Sequence, residues 1–312
     1  MRIVCDAHIP FIVEAVNNAW PQVDICPLKP EEIDASTVKD TDVLVVRTRT
    51  RVDESLLAGS KVKLVCTATI GFDHIDTVYC ETHGIRWASC PGCNAQAVCD
   101  YIEEALNELK ANGTIGIVGV GHVGSLVAKM AERKGFKVLL NDPPKNMGVS
   151  LDDIARNSDI ITFHVPLDNT TYHMCDEAFL SKCKLGALII NAARGGVVDE
   201  NALLRSGRPY ILDTWENEPN ICAEVLEHAQ LASMHIAGYS AEGKRNATQM
   251  CLDEIADMFG FKPIDISKSR YPDISKEKGD SAPGWISRIS TQLKANPTAF
   301  ESLRKSYPLR GE

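Results

Sequence analysis

Short apolar runs recur along this chain, and each ends in residues with polar side chains. In the first part, Arg2–Cys5, Val43–Arg47 and Val62–Thr67 are β-rich runs of this kind. Between them, Phe11–Trp20 has helical character, with Pro10 suited to a first turn and Pro21 just past the end. Repeated strand–helix alternation predicts parallel strands joined by helical crossovers. Near residue 95 the character changes: Ala95–Leu109 is a long helical run, with Asn94 as an N-cap candidate. Thr114–Val118 then opens a second α/β unit. It continues through Val138–Leu140, Ile160–Phe163, Ala187–Ile190, Tyr210–Leu212 and Leu231–Met234. Thr248–Phe259 is a helical run expected to pack back on the first domain. Residues 263–312 are rich in Lys, Ser, Pro and Asp and carry less core material.

The pattern therefore predicts an α/β protein with two doubly wound parallel-sheet domains and a cleft between them. Residues 1–94 and 240–262 would form one domain, residues 95–239 the other, and residues 263–312 a short C-terminal extension. Ligands of open parallel sheets bind beyond the carboxyl ends of the strands. The polar residues that follow each apolar run are thus where chemistry is expected.

Gly119-Val120-Gly121-His122-Val123-Gly124 has the G-x-G-x-x-G spacing and lies between the strand Thr114–Val118 and the helical run Ser125–Lys134. Gly119 would permit a tight turn, Gly121 the approach of a pyrophosphate to the backbone, and Gly124 close helix–strand packing. The helix N-terminus offers N–H groups and a positive dipole end to phosphates. Asp142 stands 23 residues after Gly119, at the end of the next strand. A carboxylate there accepts hydrogen bonds from ribose hydroxyls and repels a 2′-phosphate. Together these features predict a Rossmann domain that binds NAD.

Three further strand ends carry chemical handles. Arg194, in Asn191-Ala192-Ala193-Arg194-Gly195-Gly196, can fork onto a substrate carboxylate. Glu218 lies in Glu216-Asn217-Glu218-Pro219, and His235 opens His235-Ile236-Ala237-Gly238-Tyr239. Each alone reads equally well as a surface salt bridge, a solvated acid or a hydrogen-bonded structural histidine. Together they suit oxidation of an alcohol: a histidine base, a carboxylate to orient it, and an arginine to fix the substrate.

The 312-residue chain has a net charge of −9, so it has no bulk attraction for nucleic acid or anionic membranes. No apolar stretch approaches membrane-spanning length, and no leader precedes the first strand. The 11 cysteines are scattered through apparent core segments, which points to reduced cytoplasmic thiols. Cys90 and Cys93 form one close pair, with no second pair at zinc spacing, so no metal is expected. An anionic substrate then needs local cations. Arg47, Arg49 and Arg51 alternate after the run Val43–Val46 and would share one face if the segment stayed extended. The alternative is a solvated basic edge.

Residues 1–260 resemble the D-isomer-specific 2-hydroxyacid dehydrogenases. The resemblance rests on the Arg194, Glu218 and His235 segments. It also rests on Val46-Arg47-Thr48, Thr67–His74, Pro91–Ala95, Asn141–Pro144, Thr162–Leu167 and His235–Ser240. It implies a flavodoxin-like substrate domain beside the Rossmann domain, and a catalytic set of Arg194, Glu218 and His235. It further implies substrate contacts at Thr48, Thr69 and Tyr239; the alternating arginines separately offer Arg47 and Arg49 as phosphate candidates. Cofactor contacts are implied at His122, Val123, Asp142, Asp213 and Gly238. The partner implied is a small phosphorylated 2-hydroxy acid. Phosphoglycerate- or hydroxypyruvate-type activity is the alternative within the family, and a non-catalytic NAD(H)-sensing protein the alternative outside it. A homodimer is also implied, with Ala97, Tyr101, Ala105 and Leu109 on one helix face as the candidate contact and Phe300–Tyr307 as part of a dimerisation segment.

Overall fold

The computed structural model describes residues 1–269 and 283–311. The chain divides into two compact units, Met1–Asn94 with Ser240–Asp273, and Ala95–Tyr239 with Ile274–Glu312. In the first unit, strands β1 (Arg2–Asp6), β2 (Asp24–Leu28), β3 (Val43–Val46), β4 (Leu64–Thr67) and β5 (Arg86–Ala88) form a parallel sheet ordered β2-β1-β3-β4-β5. β3 and β4 are buried throughout, as continuous apolar runs in a sheet covered on both faces should be. The sequence pattern missed β2, whose run Asp-Ile-Cys-Pro-Leu contains Pro27. A proline withholds a ladder hydrogen bond, and β2 tolerates it because it lies at the sheet edge.

The helix expected over Thr248–Phe259 begins earlier and runs Ala241–Phe259. Ser240 caps it, its hydroxyl accepting from the Gly243 N–H at 2.9 Å. Ala247, Cys251, Leu252 and Ile255 of this helix share a core with Ile3, Val43, Val45 and Leu64.

In the second unit the strands are β6 (Thr114–Val118), β7 (Lys137–Asp142), β8 (Met147–Gly148), β9 (Ile160–Phe163), β10 (Leu188–Asn191), β11 (Tyr210–Leu212) and β12 (Leu231–Ala232). Their order is β12-β11-β10-β9-β6-β7-β8, parallel except for the β7–β8 pair. The helix after the glycine turn runs His122–Arg133, taking in the third glycine.

The stretch 263–312, expected as a C-terminal extension, is shared between the two units. Ile264 and Ile266 pack with the first unit, where Gln249 bonds to the backbone of both. The helix Trp285–Ala295 belongs to the second unit's core, burying Trp285, Ile286, Ile289 and Leu293. Glu108 caps its start, accepting from the backbone N–H groups of Ile286 and Ser287 at 2.9 Å each. Ser290 accepts from the Ala232 N–H at 3.1 Å and so ties the helix to β12. The tail looks polar because a single face of each short helix carries its apolar residues.

The helix Ala95–Glu108 also differs from expectation. Ala97, Tyr101 and Ala105 are buried, and Tyr101 and Ala105 lie in the core of the second unit. The Tyr101 ring lies 5.8 Å from that of Trp285, and its hydroxyl is 2.8 Å from Ser233 Oγ. The face suggested for a dimer contact is thus already covered.

Candidate active site

Three loops at the carboxyl ends of β10, β11 and β12 carry the three catalytic candidates, and backbone contacts bring these loops together. Arg194 precedes Gly195, whose backbone abuts Trp215: a Cβ on Gly195 would stand 2.0 Å from the Trp215 carbonyl oxygen. That near contact demands glycine after the arginine. Trp215 N–H donates to Glu218 Oε1 at 2.8 Å, and the other carboxylate oxygen meets His235 Nδ1 at 2.8 Å. His235 N–H in turn donates to the Asp213 carbonyl at 2.7 Å. Glu218 is thereby fixed at both oxygens, and His235 at ring and backbone.

Burial pushes the Glu218 carboxyl pKa up, but the bond and charge of His235 bring it below its ordinary value, helped by the Trp215 N–H and the charge of Arg304. It is an anion that holds the imidazole with Nδ1–H as donor, which leaves Nε2 for a substrate. Arg304, on the helix Phe300–Ser306, escaped notice in the sequence because no motif marks it. Its guanidinium carbon also lies 5.9 Å from the Tyr239 ring centroid. Tyr239 is half-buried beside Tyr307, 6.4 Å between ring centroids.

Glu200 is a second acid that sequence reading missed. It is 3% exposed, and it accepts from the Glu216 N–H at 2.7 Å. Burial raises its pKa from 4.5 to about 7, reinforced by the charges of Glu216, Glu218 and Asp199. A pKa raised on folding gives stability that is present below about 4.5 and is lost as pH rises through about 7. The change is on the order of 3 kcal/mol across that window. Glu200→Gln keeps the acceptor without the charge. We expect it to raise the melting temperature by several degrees at pH 8 and to leave it nearly unchanged at pH 5. An equal shift at both pH values would remove Glu200 as the cause.

The glycine loop fits a dinucleotide. Gly119 has φ +86°, and a Cβ there would stand 2.6 Å from the His164 carbonyl. A Cβ on Gly124 would reach within 2.0 Å of the Gly119 carbonyl, whereas one on Gly121 would meet nothing within 4 Å. The outer face at Gly121 is therefore the open one, where a pyrophosphate would approach. His122 and Val123 begin the helix, and no side chain caps its start. Asp142 Oδ2 accepts from the Val120 N–H at 2.8 Å, so the acid also braces the loop. Lys145, which spacing did not flag, donates to the Val120 carbonyl at 2.6 Å and lies 3.8 Å from Asp142. Asp142→Ala is expected to narrow the preference for NAD over NADP about tenfold or more, and to weaken NAD binding as the loop loosens. Kinetics with both cofactors would show this; equal use of the two by the unaltered protein would refute the role.

Asp213 differs from the implied cofactor contact in one respect. It is 1% exposed, and both oxygens are taken from within the protein, by Ser233 Oγ at 2.6 Å and by the N–H groups of Ile236 at 2.8 Å and Ala237 at 2.9 Å. It anchors the loop that carries His235 and Gly238.

In the first unit, the segment after β3 does not stay extended. The Thr50 N–H donates to the Arg47 carbonyl at 3.2 Å, closing a turn through Thr48 and Arg49. The three arginines consequently do not line one face. Arg47 forks onto buried Asp6, at 2.8 and 3.2 Å, and Arg51 pairs with Asp53 at 3.2 Å. Thr48 and Arg49 are exposed at the turn. Thr69 Oγ1 lies 2.6 Å from Thr67 Oγ1 and donates to the Gly71 carbonyl at 2.9 Å.

The sequence model of the D-isomer specific 2-hydroxyacid dehydrogenase NAD binding domain matches residues 100–237. The erythronate-4-phosphate dehydrogenase of Bacteroides fragilis is 45% identical, over 100% of this chain and 97% of the relative. That of Bacteroides thetaiotaomicron is 42% identical over the same shares. Among solved structures, the D-lactate dehydrogenase of Aquifex aeolicus, complexed with NAD and lactic acid, superposes with a TM-score of 0.66 at 26% identity, covering 83% of this chain and 96% of the other. The chain belongs to the D-isomer-specific 2-hydroxyacid dehydrogenase family, among its erythronate-4-phosphate dehydrogenases, and binds NAD through its second unit.

Proposed function

We propose that this protein oxidises 4-phosphoerythronate at C2 to 2-oxo-3-hydroxy-4-phosphobutanoate, a step toward pyridoxal phosphate. The observation that carries the reading is the His235–Glu218 pair, set in an NAD-binding domain of a chain with these relatives. NAD, when bound, supplies the two-electron acceptor. Arg194 holds the substrate carboxylate with two parallel hydrogen bonds. His235 takes the C2 hydroxyl proton at Nε2 while the C2 hydrogen leaves with its electron pair, and C2–O becomes a carbonyl. Glu218 stabilises the imidazolium that forms. Thr48, Thr69 and Tyr239 are the further substrate contacts in this reading. For the phosphate, Arg47 and Arg49 are the candidates; Arg49 is exposed at its turn, and Arg47 also forks onto Asp6.

The cellular setting proposed is the cytoplasm. All eleven cysteines are free thiols, and no helix of the described residues is long and apolar enough to cross a membrane. A symmetric dimer is part of the reading, through a face other than the buried one on Ala95–Glu108. The test is NADH formation across a panel of 2-hydroxy acids. The highest catalytic efficiency should fall on 4-phosphoerythronate; a preference for 3-phosphoglycerate would keep the mechanism and replace the substrate.

A further inference from the structure

His235 occupies a backbone region that side chains avoid, with φ +57°. There a Cβ crowds the following carbonyl oxygen. Such conformations persist only where the surroundings over-determine them. Here the surroundings act from two sides. On the N–H side, Asp213 accepts from His235 through its carbonyl and from Ile236 and Ala237 through its carboxylate, at 2.7, 2.8 and 2.9 Å. On the C=O side stands Arg310, close to the C-terminus. Its Nη1 donates to the Ile236 carbonyl at 3.0 Å, and its Nη2 to the Ala237 carbonyl.

The Arg310 guanidinium is itself held in place. It lies 4.7 Å from the Trp285 ring centroid and 5.8 Å from that of Tyr307, and Nη1 donates to the Tyr307 hydroxyl at 3.1 Å. An anion therefore takes the N–H groups of the two residues after His235, and a cation takes their carbonyls. A planar fork with fixed spacing can reach both carbonyls at once, which a lysine ammonium does less well.

We propose that Arg310 is a positioning residue for His235: with Asp213 it clamps the peptides that follow the histidine, and so fixes the imidazole against Glu218. The proposal rests on the reading of His235 as the base, but the clamp has a signature of its own. Its sign is the proton resonance of the Nδ1–H held by Glu218, observed in protein carrying 15N-labelled histidine.

The experiment compares Arg310→Ala and Arg310→Lys in the full chain. In Arg310→Ala, kcat measured below the melting transition should fall about 10- to 100-fold, NADH Kd should stay within about twofold, and the Nδ1–H resonance should broaden or vanish. Millimolar methylguanidinium should restore part of kcat. Arg310→Lys keeps the charge over the rings, so it tests the fork even if the alanine variant fails to fold. Its kcat should fall about tenfold with an unchanged melting temperature. Wild-type kcat and an intact resonance in Arg310→Lys would overturn the clamp. The two readings separate cleanly. If His235→Asn keeps near-wild-type turnover, the base assignment falls, and the resonance in the Arg310 variants still decides the clamp.

Discussion

His235→Asn is expected to lower turnover by roughly 10²–10⁴-fold, the usual scale of general base catalysis, while NADH affinity changes little. The asparagine amide can still donate to the Glu218 carboxylate, so the loop keeps a partner, but it cannot take a proton. The separation of the two effects follows from the structure. The glycine loop and Asp142 lie at the ends of β6 and β7, whereas His235 follows β12. Glu218→Gln should be milder and should alter the pH profile. Glu218 is an anion because the pull of His235, the Trp215 N–H and Arg304 outweighs its burial. Gln at that position still fills the space and can meet Nδ1, but it no longer stabilises the charged ring. A shifted pH profile, with a modest fall at its optimum, is the expected result. Near-full activity in His235→Asn would remove the histidine from the chemistry.

The second large effect concerns the phosphate. Moving from 4-phosphoerythronate to unphosphorylated erythronate should reduce kcat/KM by about 10²-fold or more, because a site built for a charged group leaves its donors unpaired when that group is missing. Arg49→Ala should shrink this gap by lowering efficiency on the phosphorylated substrate and sparing the other. Arg49 is exposed at the turn and is the cleaner position to alter. Arg47 is a poorer probe: its removal would leave Asp6, which is 0% exposed, without its guanidinium partner. An uncompensated buried carboxylate is destabilising in its own right. Equal efficiency on the two substrates would reject a phosphate site altogether.

Much of this architecture was legible from apolar runs. β3, β4, β9 and β10 are buried on both faces, and a strand buried so completely has to be written in continuous apolar residues. The glycine spacing and Asp142 were legible because backbone sterics leave no substitute at Gly119 and Gly124. Arg194, Glu218 and His235 stood out through their place after successive strands. The missed parts share a different property. β2 contains Pro27 and lies at an edge, so its pattern is weak. Glu200 gives no sign in the sequence that it would be buried, since acids at helix starts are ordinarily solvated. Arg304 and Arg310 act across long sequence separations, from a tail whose composition reads as surface. The alternation of Arg47, Arg49 and Arg51 misled because it assumed an extended backbone, and local pairing with Asp6 and Asp53 accompanies a turn instead.

Both units are assembled from segments far apart in the chain, and this has a consequence for how the protein is made. Ribosomes deliver the N-terminal strands first, yet Ile3, Val43 and Leu64 share their core with Ala247, Cys251, Leu252 and Ile266. That core cannot close until residue 266 has been synthesised. Through all of the intervening translation, a nascent sheet must wait with part of its apolar face uncovered, a condition that favours aggregation and engagement by chaperones. The second unit waits longer still, because Trp285, Ile286, Leu293 and Phe300 complete its interior. A ribosome stalled before that point would therefore hold a chain that already has its entire glycine loop and His235 but lacks the residues that finish the fold around them.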